Sequence, residues 1–306
     1  MSRIVPAASS PAPGRARTSG ASADARADRG GRRRSRAARS RAKTALGVIL
    51  TAIMLFPVYW MINASFTTDQ NLRKNPPNLF PIDGTLAGYR AVLSEQLPYL
   101  GTSLGVGLAT VALTLVISAP AGYALAKLRP RGGGAVSFAL LVSQMIPSII
   151  MAMGFYAILL NVGWINSIPG LVIADSTISV PFGVLIFTAF MSGIPDELMQ
   201  AALTDGAGRM RTFWSIVLPV SRNAVVTVSL FSFLWSWSDF VFASTLDAGG
   251  NQQPITLGIY HYIGNNDQQW NAIMATAVTA SIPATILLVI AQRYVAAGIT
   301  AGSVKD

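Results

Sequence analysis

Ile194-Pro195-Asp196-Glu197-Leu198-Met199-Gln200-Ala201-Ala202-Leu203-Thr204-Asp205-Gly206-Ala207 lies between two long apolar runs. Pro195 suits the first turn of a helix, and Asp196 and Glu197 suit its positive end. Ala201 and Ala202 give that helix a slim surface. Gly206 can take the left-handed turn that closes it. Met210, Phe213, Trp214 and Val217 then recur at i, i+3, i+4, i+7, which predicts a second helix with one apolar face. Pro219 marks the return to apolar sequence. The expected object is a short, small-faced helix on an amphipathic stem. Such a helix can dock in a partner's groove; a loop lying on a membrane surface is the alternative.

The flanking sequence says what this helix projects from. Apolar runs recur at about 45–66, 98–125, 135–160, 168–191, 220–242 and 272–291. Each is long enough to cross a hydrocarbon core of about 30 Å as a helix. The runs are continuous rather than alternating, so helices are expected, not barrel strands. The fourth is the least regular, being interrupted by Pro169, Asp175 and Pro181. The predicted fold class is an all-α integral membrane protein with six transmembrane helices and a projecting helix between spans four and five.

Composition agrees. Hydrophobic residues make up 52% of the 306 and charged residues 12%, about half the usual soluble share of roughly 25%. That excludes an ordinary soluble enzyme. Residues 1–43 hold 12 basic residues and two acids and so carry the whole net charge of +10. This segment lacks aromatic residues and is expected to be a disordered tail on anionic lipid, with 44–306 as the membrane domain. Nucleic-acid binding by Arg32-Arg33-Arg34-Ser35-Arg36 is the lesser reading, because an apolar run follows at once. That run is also too long for a cleaved signal's apolar core.

The basic residues set the expected orientation. With the N-terminus cytoplasmic, the tail, Lys127, Arg129, Arg131, Arg209, Arg211, Arg222, Arg293 and Lys305 share one side. Only Arg73, Lys74 and Arg90 fall on the other. The positive-inside rule therefore predicts both termini, and the loop around Asp205, in the cytoplasm.

Several chemistries lack their residues. Cys is absent and His261 is the one histidine. No lysine stands in a phosphate-cradling GxxxxGK[ST] frame, so any ATP that drives this chain must be bound by a partner. Gly101-Thr102-Ser103-Leu104-Gly105 matches a nucleophile elbow, yet it opens an apolar helix rather than following a strand. The same residues spell GxxxG, for which close helix packing is the better reading. Asp205-Gly206-Ala207-Gly208-Arg209 has no further aspartates in place to hold a metal.

The loop quoted first resembles the "EAA" loop in permease subunits of binding-protein-dependent ABC importers. Gln200-Ala201-Ala202, Asp205-Gly206-Ala207 and Ile216-Val217-Leu218-Pro219 match it in spacing. Further pieces resemble the carbohydrate, maltose-type branch: Leu79-Phe80-Pro81, Tyr89-Arg90, Ala121-Gly122-Tyr123-Ala124, Gln144-Met145-Ile146-Pro147, Trp237-Ser238-Asp239-Phe240 and Gln292-Arg293-Tyr294. The departures are Gln200 for the usual Glu, Met199 where another acid is common, Asn223 for Pro, and Ser238 for Asn. Gln200 cannot form an ion pair, which puts in doubt a salt bridge to an ATPase rather than docking itself.

The resemblance implies a non-catalytic permease of the bacterial inner membrane that moves a sugar or oligosaccharide. It would bind no cofactor; ATP and Mg would sit in two cytoplasmic ABC ATPase subunits. A second homologous permease and an extracytoplasmic sugar-binding protein would complete the assembly. Gln200, Ala201, Ala202, Asp205, Gly206 and Pro219 would couple to the ATPase. Ser229, Ser232, Ser236 and Asp239 fall at i, i+3, i+7, i+10 on one face of span five. They and Gln144 are candidates for the translocation path; small-residue helix packing and interhelical hydrogen bonding are the alternatives. Tyr260, Tyr262 and Trp270 are expected to meet a binding protein or anchor at the membrane interface. The rival classes are an ABC permease for a non-sugar solute and an ion-coupled secondary transporter, the latter wanting acids near the midplane.

Overall fold

The computed structural model describes residues 21–263 and 269–303, the side chains of 21–40, 42, 293 and 295–303 excepted. Two units are distinct, Met1–Tyr59 and Trp60–Asp306. Within the first, helix α1 (Ala21–Ser65) begins. It starts inside the basic segment, ahead of the apolar run, and residues 1–20 of that segment lie outside the described residues. Lys43–Ser65 is 23 residues long with a mean hydropathy of 2.1.

The second unit continues with α2 (Ala87–Leu128), α3 (Gly133–Ser143), α4 (Ser148–Asn161) and α5 (Ile168–Ser192). Then come α6 (Asp196–Thr204), α7 (Arg209–Val220), α8 (Arg222–Ser238), α9 (Val241–Leu246), α10 (Ile255–His261) and α11 (Trp270–Ser303). Among the described residues, four helices are long and apolar enough to cross a membrane, or six if each of two bent pairs is one span.

The bends have local causes. The third apolar run is not one helix: α3 and α4 meet at 98°. Pro147 has no N–H to give and its ring disfavours helix in the residue before it. The chain instead tightens through Gln144 N–H to Leu141 O (3.2 Å) and Met145 N–H to Val142 O (3.0 Å). The fifth run is broken near its end: α8 stops at Ser238, with Asp239 extended (φ −64°, ψ 130°) before α9. At its start α7 meets α8 at 76°, just after Pro219, where the sequence places the return to apolar residues. The fourth run, by contrast, is a single helix of 25 residues. Pro169 falls in its first turn, where its missing N–H has no partner to lose, and Ser167 caps it by accepting from Gly170 N–H at 3.3 Å.

Helices α2, α5 and α8 form the core of this unit. Glycine lets α2 and α5 touch: a Cβ on Gly122 would lie 2.4 Å from Phe187 Cβ, and one on Gly183 2.7 Å from Ser118 Oγ. The expected GxxxG contact is elsewhere, because a methyl group on Gly101 or Gly105 would meet nothing within 4 Å. Ser103 Oγ, beside them, accepts from Ile255 N–H at 2.8 Å. One apolar cluster gathers Tyr123, Phe187, Met191, Phe213, Val217 and Val228. A second gathers Val106, Leu159, Leu171, Ala174, Phe242 and Leu246. Along all three helices, buried polar residues stand between the two clusters: Thr110, Thr114 and Ser118, then Asp175 and Ser179, then Ser232 and Ser236.

Candidate coupling and translocation site

The loop at 194–209 holds a short helix that starts at Asp196, so Pro195 stands just ahead of the first turn rather than in it. α6 is nine residues long and has Asp196 and Glu197 in its first turn. Gly206 has φ +79°. Its N–H reaches Leu203 O (3.0 Å) and Ala207 N–H reaches Ala202 O (2.9 Å). That pair of bonds is a Schellman ending, which a left-handed glycine permits. Ala202 is buried, while Gln200, Ala201, Leu203, Asp205 and Gly206 are exposed. The helix therefore presents Leu198, Gln200, Ala201, Leu203 and Asp205 outward and packs on the bundle through Ala202 and the half-buried Met199.

The stem differs from expectation. Its four apolar residues do not share one face. Phe213 and Val217 are buried at 2% and 0%, whereas Met210 and Trp214 are 68% and 61% exposed. A widened π turn at Phe213–Val217 shifts the register within α7. Pro219 sits just ahead of the bend into α8 and is exposed.

Sequence reading missed what fastens α6. Lys127, in a π turn at Ala124–Leu128 that ends α2, points at its N-terminus. Lys127 Nζ donates to Asp196 Oδ1 at 2.7 Å and to Ile194 O. Arg129 Nη2 reaches Asp196 Oδ2 at 3.3 Å. The Lys127 side chain is 2% exposed and that of Asp196 51%. The Lys127 hydrogen bond, and then its charge, hold the Asp196 carboxyl below its usual range. Tyr123 OH donates to Arg209 O at 3.4 Å. A cleft of about 330 Å³ opens here, lined by Lys127, Arg129, Asp196, Gln200 and Arg209 among others. Only the basic charge of Lys127 is visible in sequence; its partner 69 positions away is not.

These contacts gather the loops after α2 and α5 at one end of the unit. The segments assigned by charge to the opposite side meet at the other end. Asn271 Nδ2 donates to Ser65 O and Thr67 O, both at 2.8 Å. Tyr262 OH donates to Glu95 Oε2 at 3.0 Å, and Gly249 N–H reaches Asn166 Oδ1 at 3.2 Å. Tyr262 is thereby buried, whereas Tyr260 and Trp270 are exposed. Of the family-like Gln292-Arg293-Tyr294, only the side chains of Gln292 and Tyr294 are among the described residues.

The translocation-path candidates separate. Ser232 and Ser236 are buried and Ser229 is half-buried. Ser236 Oγ donates to Asp175 Oδ2 at 2.6 Å, tying α8 to α5. Asp239 accepts from Phe242 N–H (3.3 Å) and Ala243 N–H (2.9 Å), so it caps α9. It also lines a cleft of about 230 Å³ with Ser148, Trp235 and Ser238. Gln144 is half-buried at the break between α3 and α4.

A multi-span helical bundle with a short exposed helix standing on a cation-lined end has the form of a membrane transport subunit. The chain belongs to the family of binding-protein-dependent transport system inner membrane components, which matches residues 118–301. It is thus a multi-pass permease of the inner membrane, and its family is not itself catalytic. It is 30% identical to the trehalose/maltose transport system permease protein MalG of Thermococcus litoralis, over 85% of this chain and 95% of that one. It is also 30% identical to the sulfoquinovosyl glycerol transport system permease protein SmoH of Agrobacterium fabrum, over 84% and 91%. Its fold is similar to a chain in the crystal structure of a bacterial ABC transporter that imports the acidic polysaccharide alginate. The TM-score is 0.74 at 19% identity, over 86% of this chain and 98% of that one.

Proposed function

We propose that this chain is one permease half of an ABC importer that carries a sugar or oligosaccharide across the cytoplasmic membrane. Six spans, with α3–α4 and α7–α8 each counted once, leave both termini and α6 in the cytoplasm. α6 docks on an ABC ATPase that holds ATP and Mg, and this chain binds neither. A second homologous permease completes the pore, and an extracytoplasmic binding protein delivers the sugar. The observation that carries the reading is α6 itself, short, exposed and closed by Gly206, at the end where the predicted cytoplasmic cations gather. The choice of sugar rests on relatives whose names specify sugars or glycosides, diacetylchitobiose uptake in Streptomyces coelicolor among them.

In this mechanism closure of the ATPase dimer displaces α6, and the bundle switches access from one side to the other. Gln200 contributes a hydrogen bond where an acid would form an ion pair. Ser236 and Ser232 pack the bundle, while Asp239 with Trp235 and Ser148 lines the cleft nearest to a path. A non-sugar solute is the second reading, since nothing in the geometry of the cleft beside Asp239 is particular to a sugar. Purification of the chain from its native membrane tests the class: a second permease and an ATPase should accompany it. Proteoliposome uptake over a panel of sugars and amino acids then tests the solute. Recovery of the chain alone, active with an ion gradient and no ATP, would overturn the proposal.

A further inference from the structure

Helix α6 is joined covalently to α5 only through Gly193-Ile194-Pro195. Pro195 is extended (φ −58°, ψ 136°). Ile194 is buried with Phe187 and Phe213 and bonds back to Met191 O, so the turnable part of this joint is Pro195, between the core and α6. Lys127 closes it. From the end of α2 it reaches across the joint, to Ile194 O on one side and to Asp196 Oδ1, 2.7 Å away, on the other. Its side chain is almost wholly enclosed, at 2% exposure. Arg129, 70% exposed, adds a longer contact of 3.3 Å to the second Asp196 oxygen.

The anchor of this strut is rigid. α2 and α5 are in contact through Gly122 on Phe187 and Gly183 on Ser118, with no room for a methyl group at either point. Tyr123, one helical turn before Lys127, packs on Phe213 at 5.1 Å between ring centroids and donates to Arg209 O. The end of α2 thus grips both the start of α6 and the stem after it.

Building on the function proposed above, we infer that Lys127 is a positioning residue that makes α6 move as one body with α2 and α5. It converts displacement of the docked helix into movement of the bundle. The ion pair lies inside this chain, so it does not depend on a charge at position 200. Neither Lys127 nor Asp196 is needed on the exposed face that meets the ATPase.

The test uses the full transporter in proteoliposomes with its binding protein, and as probe the radiolabelled sugar from the uptake panel above that gives ATP-dependent uptake in wild type. It compares wild type with Lys127→Met, Lys127→Arg, Asp196→Asn and the double variant Lys127→Met/Asp196→Asn. Three quantities are read: ATPase retained on purification, ATP hydrolysed, and solute moved per ATP. Lys127→Met should retain the ATPase and its basal hydrolysis, yet lose solute moved per ATP by roughly fivefold or more. Lys127→Arg should restore most of it. Asp196→Asn should lose less, because Lys127 still reaches Ile194 O, and the double variant should be no worse than Lys127→Met. Wild-type stoichiometry in Lys127→Met would overturn the inference. So would a Lys127→Met chain that fails to assemble, since the strut acts after docking. If wild type itself brings down no ATPase, the proposed function fails instead.

Discussion

Gly206→Ala isolates the ending of α6 from every steric effect. At φ +79° a Cβ is strained, but nothing lies within 4 Å of where it would stand. The cost is therefore backbone strain alone, about 1–2 kcal/mol. Gly208 is a matched control two residues on: its surroundings are equally open, and its φ of −66° suits any residue. Strain at 206 is relieved by opening the two Schellman bonds. A cost near 1.4 kcal/mol makes that opening about tenfold more frequent. Hydrogen exchange should report it: the amides of residues 206 and 207 exchange about tenfold faster in Gly206→Ala, and those before Ala201 change little. Gly206→Asn should fall between, because Asn tolerates this conformation. Gly208→Ala should match wild type, and affinity for the ATPase should fall in the same order. Equal exchange in Gly206→Ala and Gly208→Ala would refute the reasoning.

Three further outcomes follow from buried polar contacts. Ser236→Ala removes the one hydrogen bond seen on the Asp175 carboxylate among the described residues. It should lower stability in detergent by about 1–3 kcal/mol, read as a drop in thermal midpoint that Ser229→Ala does not share. Asn271→Ala deletes the amide held by Ser65 O and Thr67 O; a loss of about 2 kcal/mol is expected, and an unchanged midpoint would contradict the role given to that contact. Asp247 is buried with neither carboxylate oxygen paired among the described residues, and burial pushes its carboxyl from 3.8 up to about 6. The folded state then holds the proton more tightly than the unfolded one. Stability from this group is full below about pH 3.8 and is lost as pH rises through 6. Allowing for solvent screening, the loss is about 1–2 kcal/mol. In Asp247→Asn the midpoint should no longer fall between those pH values; an identical fall would show that other groups cause it.

Sequence carried the features that are local and the ones that are periodic. Pro195, the acids after it and Gly206 act within one turn of their own positions, so α6 and its ending can be read directly. Apolar runs give the helices, but not where they break. Pro147 changes the chain's direction inside one long apolar run, and the break at Asp239 is a single polar position that such a run averages over, whereas the 220–222 bend falls at a boundary that Pro219 and Arg222 do mark. The face of α7 departs from expectation because a periodic count assumes 3.6 residues per turn, and the π turn at Phe213–Val217 does not keep it. Gly101 and Gly105 spell a packing motif, yet the close approach of α2 to α5 falls to Gly122 and Gly183, which carry no such spacing. Lys127 with Asp196, and Asp175 with Ser236, pair residues 69 and 61 positions apart. Contacts of that range depend on how helices pack, and no single segment encodes them.

The central claim is that α6 is the surface through which an ATPase drives this bundle. Because the chain contains no cysteine, Ala201→Cys gives a single reactive position on the exposed face of α6. A short thiol-reactive photocrosslinker at that position, in membranes holding the intact transporter, should yield one adduct of this chain with the ATPase. Labelling of residue 201 from outside the cell, with no ATPase adduct, would contradict the account.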